Sequence, residues 1–203
     1  MQPDPLDIQG FVHALRAPLQ RLRFALDRAK RTGFSAEVED AFSKDIEKLG
    51  VLISQMLILS DEPKCESGDA TSTISLGELL DHLLADARIE AEERGVNIAF
   101  IQNAPSLFVG MNEEILNMVL GELLANALRH AVPGSSIRVE AEETQERTRL
   151  RIVNLTDMHD DGQKSFPFGV GLKFVLRAMK NCNGSLDQRH EDGIFEIVVE
   201  WPK

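Results

Sequence analysis

Apolar side chains recur every three or four residues along the first 60 positions, the period of a helix that is buried on one side. One stripe consists of Leu15, Leu19, Leu22 and Leu26, and a second of Val38, Phe42, Leu49, Leu52, Met56 and Leu59. Between the stripes, Gly33 can end a first helix and Ser35 can cap a second. The pattern therefore predicts a helical hairpin over residues 6 to 60.

The two apolar stripes are too wide for the helices to cover by packing against each other alone. A pair of hairpins can cover them, because four helices enclose a shared apolar core. We therefore expect a homodimer in which two hairpins form a four-helix bundle.

The helical period stops at a polar stretch, DEPKCESGDATS, which Pro63 and Gly68 interrupt. Beyond it, Ser75 and Glu78 have the spacing of a capping box that opens a helix ending near Arg94. Further helices are predicted over about 112–131 and 169–182, and strands at VNIAFI, LFV, SSIRVEAEE, RLRIVNL, GSLDQRH and GIFEIVVEW.

This order of helices and strands predicts an α+β chain of two domains. A helical hairpin domain is expected over residues 1–62, a linker over 63–73, and a two-layer α/β sandwich over 74–203. The sheet of the sandwich is expected to be mixed and largely antiparallel.

Acidic residues outnumber basic ones by 33 to 22, which gives a formal net charge of −11. Such a surface repels nucleic acid and anionic membranes. The chain also lacks a signal-peptide pattern at its start and any run near the roughly 20 apolar residues of a membrane helix. Its two cysteines have neither zinc-site spacing nor the pattern of a disulfide framework. We therefore expect a cytoplasmic protein that binds no nucleic acid and does not enter a membrane.

The polar side of the first helix carries a histidine, His13, in line with Arg16 and Gln20. This spacing predicts an exposed imidazole. Pro18 lies five residues later, where it lacks an N–H for the carbonyl of Ala14 and should kink the helix beside the histidine.

The string HALRAPL, residues 13–19, resembles the phosphoacceptor box of sensor histidine kinases, whose usual form is HELRTPL. The resemblance implies that His13 takes a phosphoryl group on a ring nitrogen, with Arg16 and Pro18 completing the box. It also implies a dimeric hairpin and transfer of the phosphoryl group to an aspartate of a response-regulator receiver domain. The phosphoryl donor stays open: it is either a phosphorylated receiver domain or an upstream histidine kinase.

Two positions of this box depart from the family. Ala14 replaces the acidic residue that accepts the proton of the histidine during attack on ATP. Ala17 replaces the Thr or Asn that positions a water for dephosphorylation. Exchange with a receiver needs neither group, because the receiver's own acidic cluster and Mg²⁺ handle the transferring charge.

The first 33 residues carry an excess of three positive charges within this acidic chain. The basic residues are Arg16, Arg21, Arg23, Arg28, Lys30 and Arg31, and the acidic ones are Asp4, Asp7 and Asp27. Such a surface attracts an acidic receiver pocket, although a merely solvated basic face explains the charges equally well.

The string VLGELLANALRHA, residues 119–131, resembles the N box of the ATPase superfamily that contains histidine kinases, gyrase and anti-sigma kinases. The resemblance implies that Asn126 and Glu122 hold Mg²⁺ against the nucleotide phosphates, with Arg129 and His130 nearby.

The remaining ATP boxes are altered. Where the family has D-x-G-x-G for the adenine base, this chain has Asn154, Thr156 and Met158. The last glycine box is represented by FGVGLKF, in which Lys173 replaces the third glycine after Gly169 and Gly171. Asn154 can still accept a hydrogen bond, but the backbone loses freedom to approach a base. The ATP site is therefore expected to be degenerate.

Three functions follow from these patterns. The first is a two-component protein that carries phosphate on His13 and exchanges it with receiver aspartates, without using ATP. The second is an active autokinase that phosphorylates His13 from Mg·ATP. The third is a pseudokinase scaffold without chemistry.

Overall fold

The structure is a computed structural model that describes residues 5–33, 35–60, 73–104, 107–156 and 170–203. It divides into two compact units, one built on a helical hairpin and one on a sheet. Each unit is described by itself. The predicted α+β fold class is confirmed.

Two long helices, α1 (Pro5–Thr32) and α2 (Ala36–Ser60), form the hairpin. The chain reverses at Gly33, which has a φ of 83° that favours glycine and donates its N–H to the carbonyl of Ala29. At the start of α2, the N–H of Val38 lies 3.4 Å from the hydroxyl oxygen of Ser35 and 3.0 Å from its carbonyl oxygen. The predicted end and cap are therefore both present.

The interior of the hairpin is not made by the leucine stripe. Its buried side chains are Pro18, Ala29, Val38 and Leu52, which are small or apolar, and the polar Gln55. Across the helices, the guanidinium of Arg21 donates three hydrogen bonds to Asp45, at 2.6, 2.9 and 3.1 Å, and these raise the pKa of the arginine.

Part of the predicted stripes remains exposed in the single hairpin: Leu19, Leu26 and Met56, whereas Val38 and Leu52 are buried. Leu19 is 54% exposed and Ile53 50% exposed, and other large apolar residues lie on the same sides of the two helices. The latter are Val12, Leu26, Ile46 and Met56. These six residues are called the seam here. On α1 they recur every seven residues, at positions 12, 19 and 26, and on α2 positions 46 and 53 have the same spacing, with 56 one turn further along.

The second unit packs helices on one side of a five-stranded sheet with the order β2-β4-β5-β7-β6. Its helices are α3 (Leu76–Glu93), α4 (Glu113–His130) and α5 (Val170–Asn181), of which α5 belongs to this unit from Phe174 onward. Its strands are β2 (Asn97–Gln102), β4 (Ser136–Glu143), β5 (Arg147–Leu155), β6 (Ser185–Glu191) and β7 (Ile194–Pro202). Only β2 and β4 pair in parallel; the other pairs are antiparallel.

A separate two-stranded sheet joins β1 (Thr73–Ser75) to β3 (Phe108–Gly110). The sequence pattern did not predict β1, because three residues are too few to show a period. The predicted helix after it begins as expected: the Ser75 side chain accepts from the N–H of Glu78.

Alternation along β5 and β7 separates the two sides of the sheet. Leu150 and Ile152 of β5, with Ile197 and Val199 of β7, are buried toward the helices. On the opposite side, Arg149 binds carboxylates of both neighbouring strands, and Arg151 does the same. The carboxylates are Glu142 and Glu200 for Arg149, at 2.8 and 2.7 Å, and Glu140 and Glu196 for Arg151. The outer side is therefore a paired charge ladder.

In the described part of the chain, no helix is both long and apolar enough to cross a membrane. Cys182, which is buried just after α5, is disulfide-bonded, although the two cysteines do not have the pattern of a disulfide framework in the sequence. The spacing of two cysteines carries no information about their distance in the fold. The other cysteine, Cys65, lies outside the described residues.

The cap of α4 gives a first prediction. The Asn112 side chain accepts from the N–H of Ile115 at 3.2 Å, so Asn112→Ala should lower the free energy of unfolding by about 1 kcal/mol. Urea unfolding followed by circular dichroism measures this loss. Asn117→Ala, at an exposed position inside the same helix, is the matched control and should not destabilise. Equal losses in both variants would show that the cap contributes nothing.

Candidate functional site

His13 lies on an exposed part of α1, as its spacing predicted. Within the described residues, no hydrogen bond or ion pair engages its ring. Ala14 beside it is half-buried and Arg16, one turn further along, is exposed. The imidazole is therefore accessible, with a cation but no carboxylate next to it on its own helix.

A shallow groove of about 400 Å³ runs along α1 beside this histidine. It is lined by Val12, Leu15, Arg16, Leu19, Gln20 and Arg23. The apolar floor belongs to the exposed leucine stripe and the polar edge to the histidine side, so the two sides of α1 meet here. The sequence pattern predicted that the histidine and the leucine stripe lie on opposite sides of α1. In the structure the two sides are neighbours.

Two residues of the predicted hairpin site have structural roles. Pro18 is buried, and α1 continues through it from Pro5 to Thr32. Arg21, counted in the basic surface, is paired with Asp45, which reduces the free positive charge expected there.

Residues of the N-box string lie on α4 in the second unit. Asn126 is 9% exposed and Glu122, one turn earlier, is half-buried with a partner of its own. Arg129 and His130 stand in the last turn, where Arg129 is exposed and His130 is half-buried and has a partner. The apolar side of the helix, which includes Leu123 and Leu124, is buried and fixes this orientation.

The end of α4 meets the end of β5, because the N–H of Val132 donates to the carbonyl of Leu155 at 3.1 Å. Next to that carbonyl, Asn154 is 2% exposed and lies on the helix-facing side of the sheet. Its Nδ2 donates to the Leu155 carbonyl at 3.3 Å, whereas no donor reaches its buried Oδ1 from the described chain. A buried acceptor left without a donor costs about 1–3 kcal/mol, so this oxygen is suited to a ligand N–H.

Thr156 follows β5 and is 7% exposed. Its Oγ1 lies 2.9 Å from Nε2 of His190 and 3.4 Å from the carbonyl of Gly193. Its N–H also donates to that carbonyl, at 2.8 Å. Sequence reasoning missed His190, because nothing in a polar edge strand distinguishes a histidine that meets a threonine 34 residues earlier.

The last glycine box is described only in part. Gly171 and Lys173 stand in the first turn of α5, where Lys173 is half-buried. Gly169 and Met158 lie outside the described residues.

The residues do not fit an ATP site of the kind that the resemblance implies. Asn154 supplies one suitable acceptor, but the place of a freely rotating glycine is taken by Thr156, whose side chain and backbone are both bonded. No cluster of three or more His, Cys, Asp or Glu that could hold a metal occurs in the described parts of the chain. Glu122 and Asn126 supply two ligand groups, which is as many as Mg²⁺ held on nucleotide phosphates usually takes from a protein, so the misfit lies at Thr156.

Comparisons with known proteins agree with the motifs. The chain is similar to the sensor protein QseC of Salmonella typhi, with 25% identity over 210 residues that cover 93% of the chain and 45% of the relative. It thus spans less than half the length of that relative. No family model matches it.

Solved structures extend the likeness to the fold. The Acinetobacter baumannii histidine kinase AdeS matches with a TM-score of 0.72 and 16% identity, covering 94% of this chain and 97% of that one. The cytoplasmic segment of histidine kinase QseC matches with a TM-score of 0.57 and 22% identity, covering 77% and 93%. By sequence and by fold, this chain is a homologue of the core of sensor histidine kinases.

Proposed function

We propose that the protein is a two-component phosphotransferase, which carries a phosphoryl group on His13 and exchanges it with receiver aspartates without using ATP. The observation that carries the proposal is the exposed His13, with Arg16 beside it and Ala14 in place of an acidic neighbour. The chain thus keeps the group that holds phosphate and lacks the base that would help it attack ATP.

The proposed exchange balances without a protein base. A ring nitrogen of His13 attacks the phosphorus of the receiver's aspartyl phosphate, an N–P bond forms, and the P–O bond to the carboxyl group breaks. The carboxylate leaves with the electron pair of that bond, and the imidazole releases one proton to solvent. Arg16 is positioned to stabilise the charge of the phosphoryl group on the histidine.

The acidic receiver partner is supported by the exposed cations of α1. Arg16 and Arg23 are exposed, and no ion pair engages either of them in the described chain. A receiver pocket that contains carboxylates is attracted to this edge of the hairpin. We place the exchange in the cytoplasm, because a structure that the chain resembles is a cytoplasmic segment.

An active autokinase is the second candidate, and Asn154 is the observation that favours it. Its buried Oδ1 could accept from the amino group of adenine, as the resemblance implies for this position. The loss of the acidic residue at Ala14 and of the glycine at Thr156 makes this the weaker candidate.

We further propose that the hairpin forms a homodimer through the seam. Val12, Leu19 and Leu26 on α1 leave a wide apolar surface in water, and Ile46 and Ile53 do the same on α2. These side chains are about half exposed, so burying the rest of each against a second hairpin contributes roughly 1 kcal/mol. The partner whose helices match α1 and α2 in length and in the spacing of their apolar residues is a second copy of this chain.

The phosphoacceptor gives the second prediction. His13→Ala should abolish label transfer from a phosphorylated receiver domain, because no other described histidine stands in such a box. His82→Ala, at an exposed position on α3, is the control and should accept label at the wild-type rate. The measurement is radiolabel on the chain after separation on a gel. Label on the His13→Ala protein would remove this residue from the proposal.

The seam gives the third prediction. Leu19→Glu combined with Ile53→Glu should halve the molar mass in light scattering, because buried carboxylates without partners are strongly unfavourable. Phe24→Glu is the matched control, since Phe24 is 74% exposed but lies off the seam on the side of His13. A wild-type monomer, or dissociation in the control alone, would contradict the proposed dimer.

Incubation with ATP separates the two candidate functions and gives the fourth prediction. Wild-type protein with γ-labelled Mg·ATP should acquire no label, whereas the same preparation should accept label from a phosphorylated receiver. The second reaction shows that the protein is competent. Label from ATP alone, lost in His13→Ala, would establish the autokinase instead.

A further inference from the structure

The helix-facing side of the sheet changes character at one end. Along most of β5 and β7 it is apolar, with Leu150, Ile152, Ile197 and Val199 fully or almost fully buried. At the end of β5 it becomes polar, with Asn154 on the strand and Thr156 just past it. Thr148, at the other end of β5, is also polar and buried, but it is bonded to the carbonyl of Phe108, whereas Oδ1 of Asn154 has no donor among the described residues.

Three neighbouring strands contribute to one row at this end. Asn154 on β5 is opposite Phe195 on β7, and Phe195 is opposite His190 on β6. Adjacent strands are about 4.8 Å apart, so the row measures roughly 10 Å from the asparagine to the histidine. The rings of His190 and Phe195 lie side by side, with centroids 6.4 Å apart.

The side chain of Thr156 reaches across this row to the far strand. Its Oγ1 meets Nε2 of His190 at 2.9 Å, and its backbone N–H is bonded to Gly193 in the turn between β6 and β7. This Thr156–His190 bridge therefore ties the end of β5 to the β6–β7 hairpin and spans the strand between them. The chain after β5 is held by both its backbone and its side chain.

The acceptor of Asn154 lies in the same row as this bridge. Its Oδ1 is buried and receives no hydrogen bond from the described residues, while its Nδ2 is fixed by the Leu155 carbonyl. The geometry therefore presents an acceptor for which the described residues supply no donor. A ligand with an amino group would satisfy it, but only if the end of the row were open.

We propose that the Thr156–His190 bridge is the specificity determinant that closes the second unit to nucleotides. The inference rests on the proposed function, in which ATP is not used, and assigns the cause to two side chains. Asn154 is then a retained base-recognition group behind a closed end. Removing the bridge should restore binding of a nucleotide with an amino group on its base.

Two variants of the full chain open the site in different ways. Thr156→Gly removes the hydroxyl and methyl groups and gives the backbone its freedom, whereas His190→Ala leaves Thr156 unchanged and removes the imidazole together with its ring contact to Phe195. His190 is exposed, so its replacement disturbs the fold least. Thr156→Ser keeps the hydroxyl and is the matched control.

Isothermal titration with Mg·ATP, at up to about 1 mM, measures the effect. We expect no binding by wild type or Thr156→Ser, and binding at least about tenfold tighter by Thr156→Gly and by His190→Ala. Adding Asn154→Leu to either opened variant should abolish the gain, because the acceptor is lost. Mg·GTP should bind the opened variants more weakly, since its six-position carries an oxygen and not an amino group.

Two results would overturn the inference. Folded opened variants, with the wild-type circular dichroism and a cooperative melt, that bind no better than wild type would show that the bridge does not close the site. Wild type that binds Mg·ATP as tightly as the opened variants would show that the site is not closed at all. Acceptance of label by His13 from a receiver tests the proposed function separately, because it requires no nucleotide.

Discussion

Every helix of the second unit is positioned by the apolar side of one sheet. Leu150 and Ile152 on β5, with Ile197 on β7, require cover, and the apolar sides of α3, α4 and α5 supply it. That packing fixes which edge of α4 stays polar, and so where Glu122 and Asn126 can stand. It also forces anything at position 154 to be buried, whatever its polarity. The candidate site is thus a consequence of the core, at the place where its apolar pattern ends.

The outer side of the same sheet is stabilised differently. Arg149 and Arg151 each lie between carboxylates of two neighbouring strands, so both signs of charge alternate across β4, β5 and β7. Isolated surface pairs contribute little, but a ladder in which each cation binds two anions holds its members in fixed positions. The strongly negative chain therefore has one sheet surface on which charges are matched. On α1, Arg16 and Arg23 stay exposed and available to a partner.

Local signals in the sequence predicted most of this fold. Gly33 and Ser35 acted as expected, because a turn glycine and a helix cap depend on neighbours within a few residues. The spacing of apolar residues predicted the described helices, and among the described strands it missed only β1. A period also shows that one side of a helix is to be buried, but not what buries it, which is why Leu19 is exposed in the single hairpin.

The parts of the site that could not be predicted depend on contacts between distant residues. Arg21 meets Asp45 and Thr156 meets His190 at separations of 24 and 34 residues, and neither pair has a local pattern. A motif comparison registers Thr156 only as a missing glycine. The structure adds that its side chain has a partner, so the substitution builds an interaction as well as removing freedom of the backbone.

Departures from the family pattern occur in both units, and they act on the same chemistry. In the hairpin, Ala14 and Ala17 remove the groups that the resemblance assigns to ATP and to water, while His13 and Arg16 stay exposed. In the second unit, Thr156 stands where the resemblance has a glycine next to the base. An exposed His13, together with altered positions in both units that the resemblance assigns to ATP, is the combination that the proposed phosphotransferase requires, because its phosphate comes from another protein.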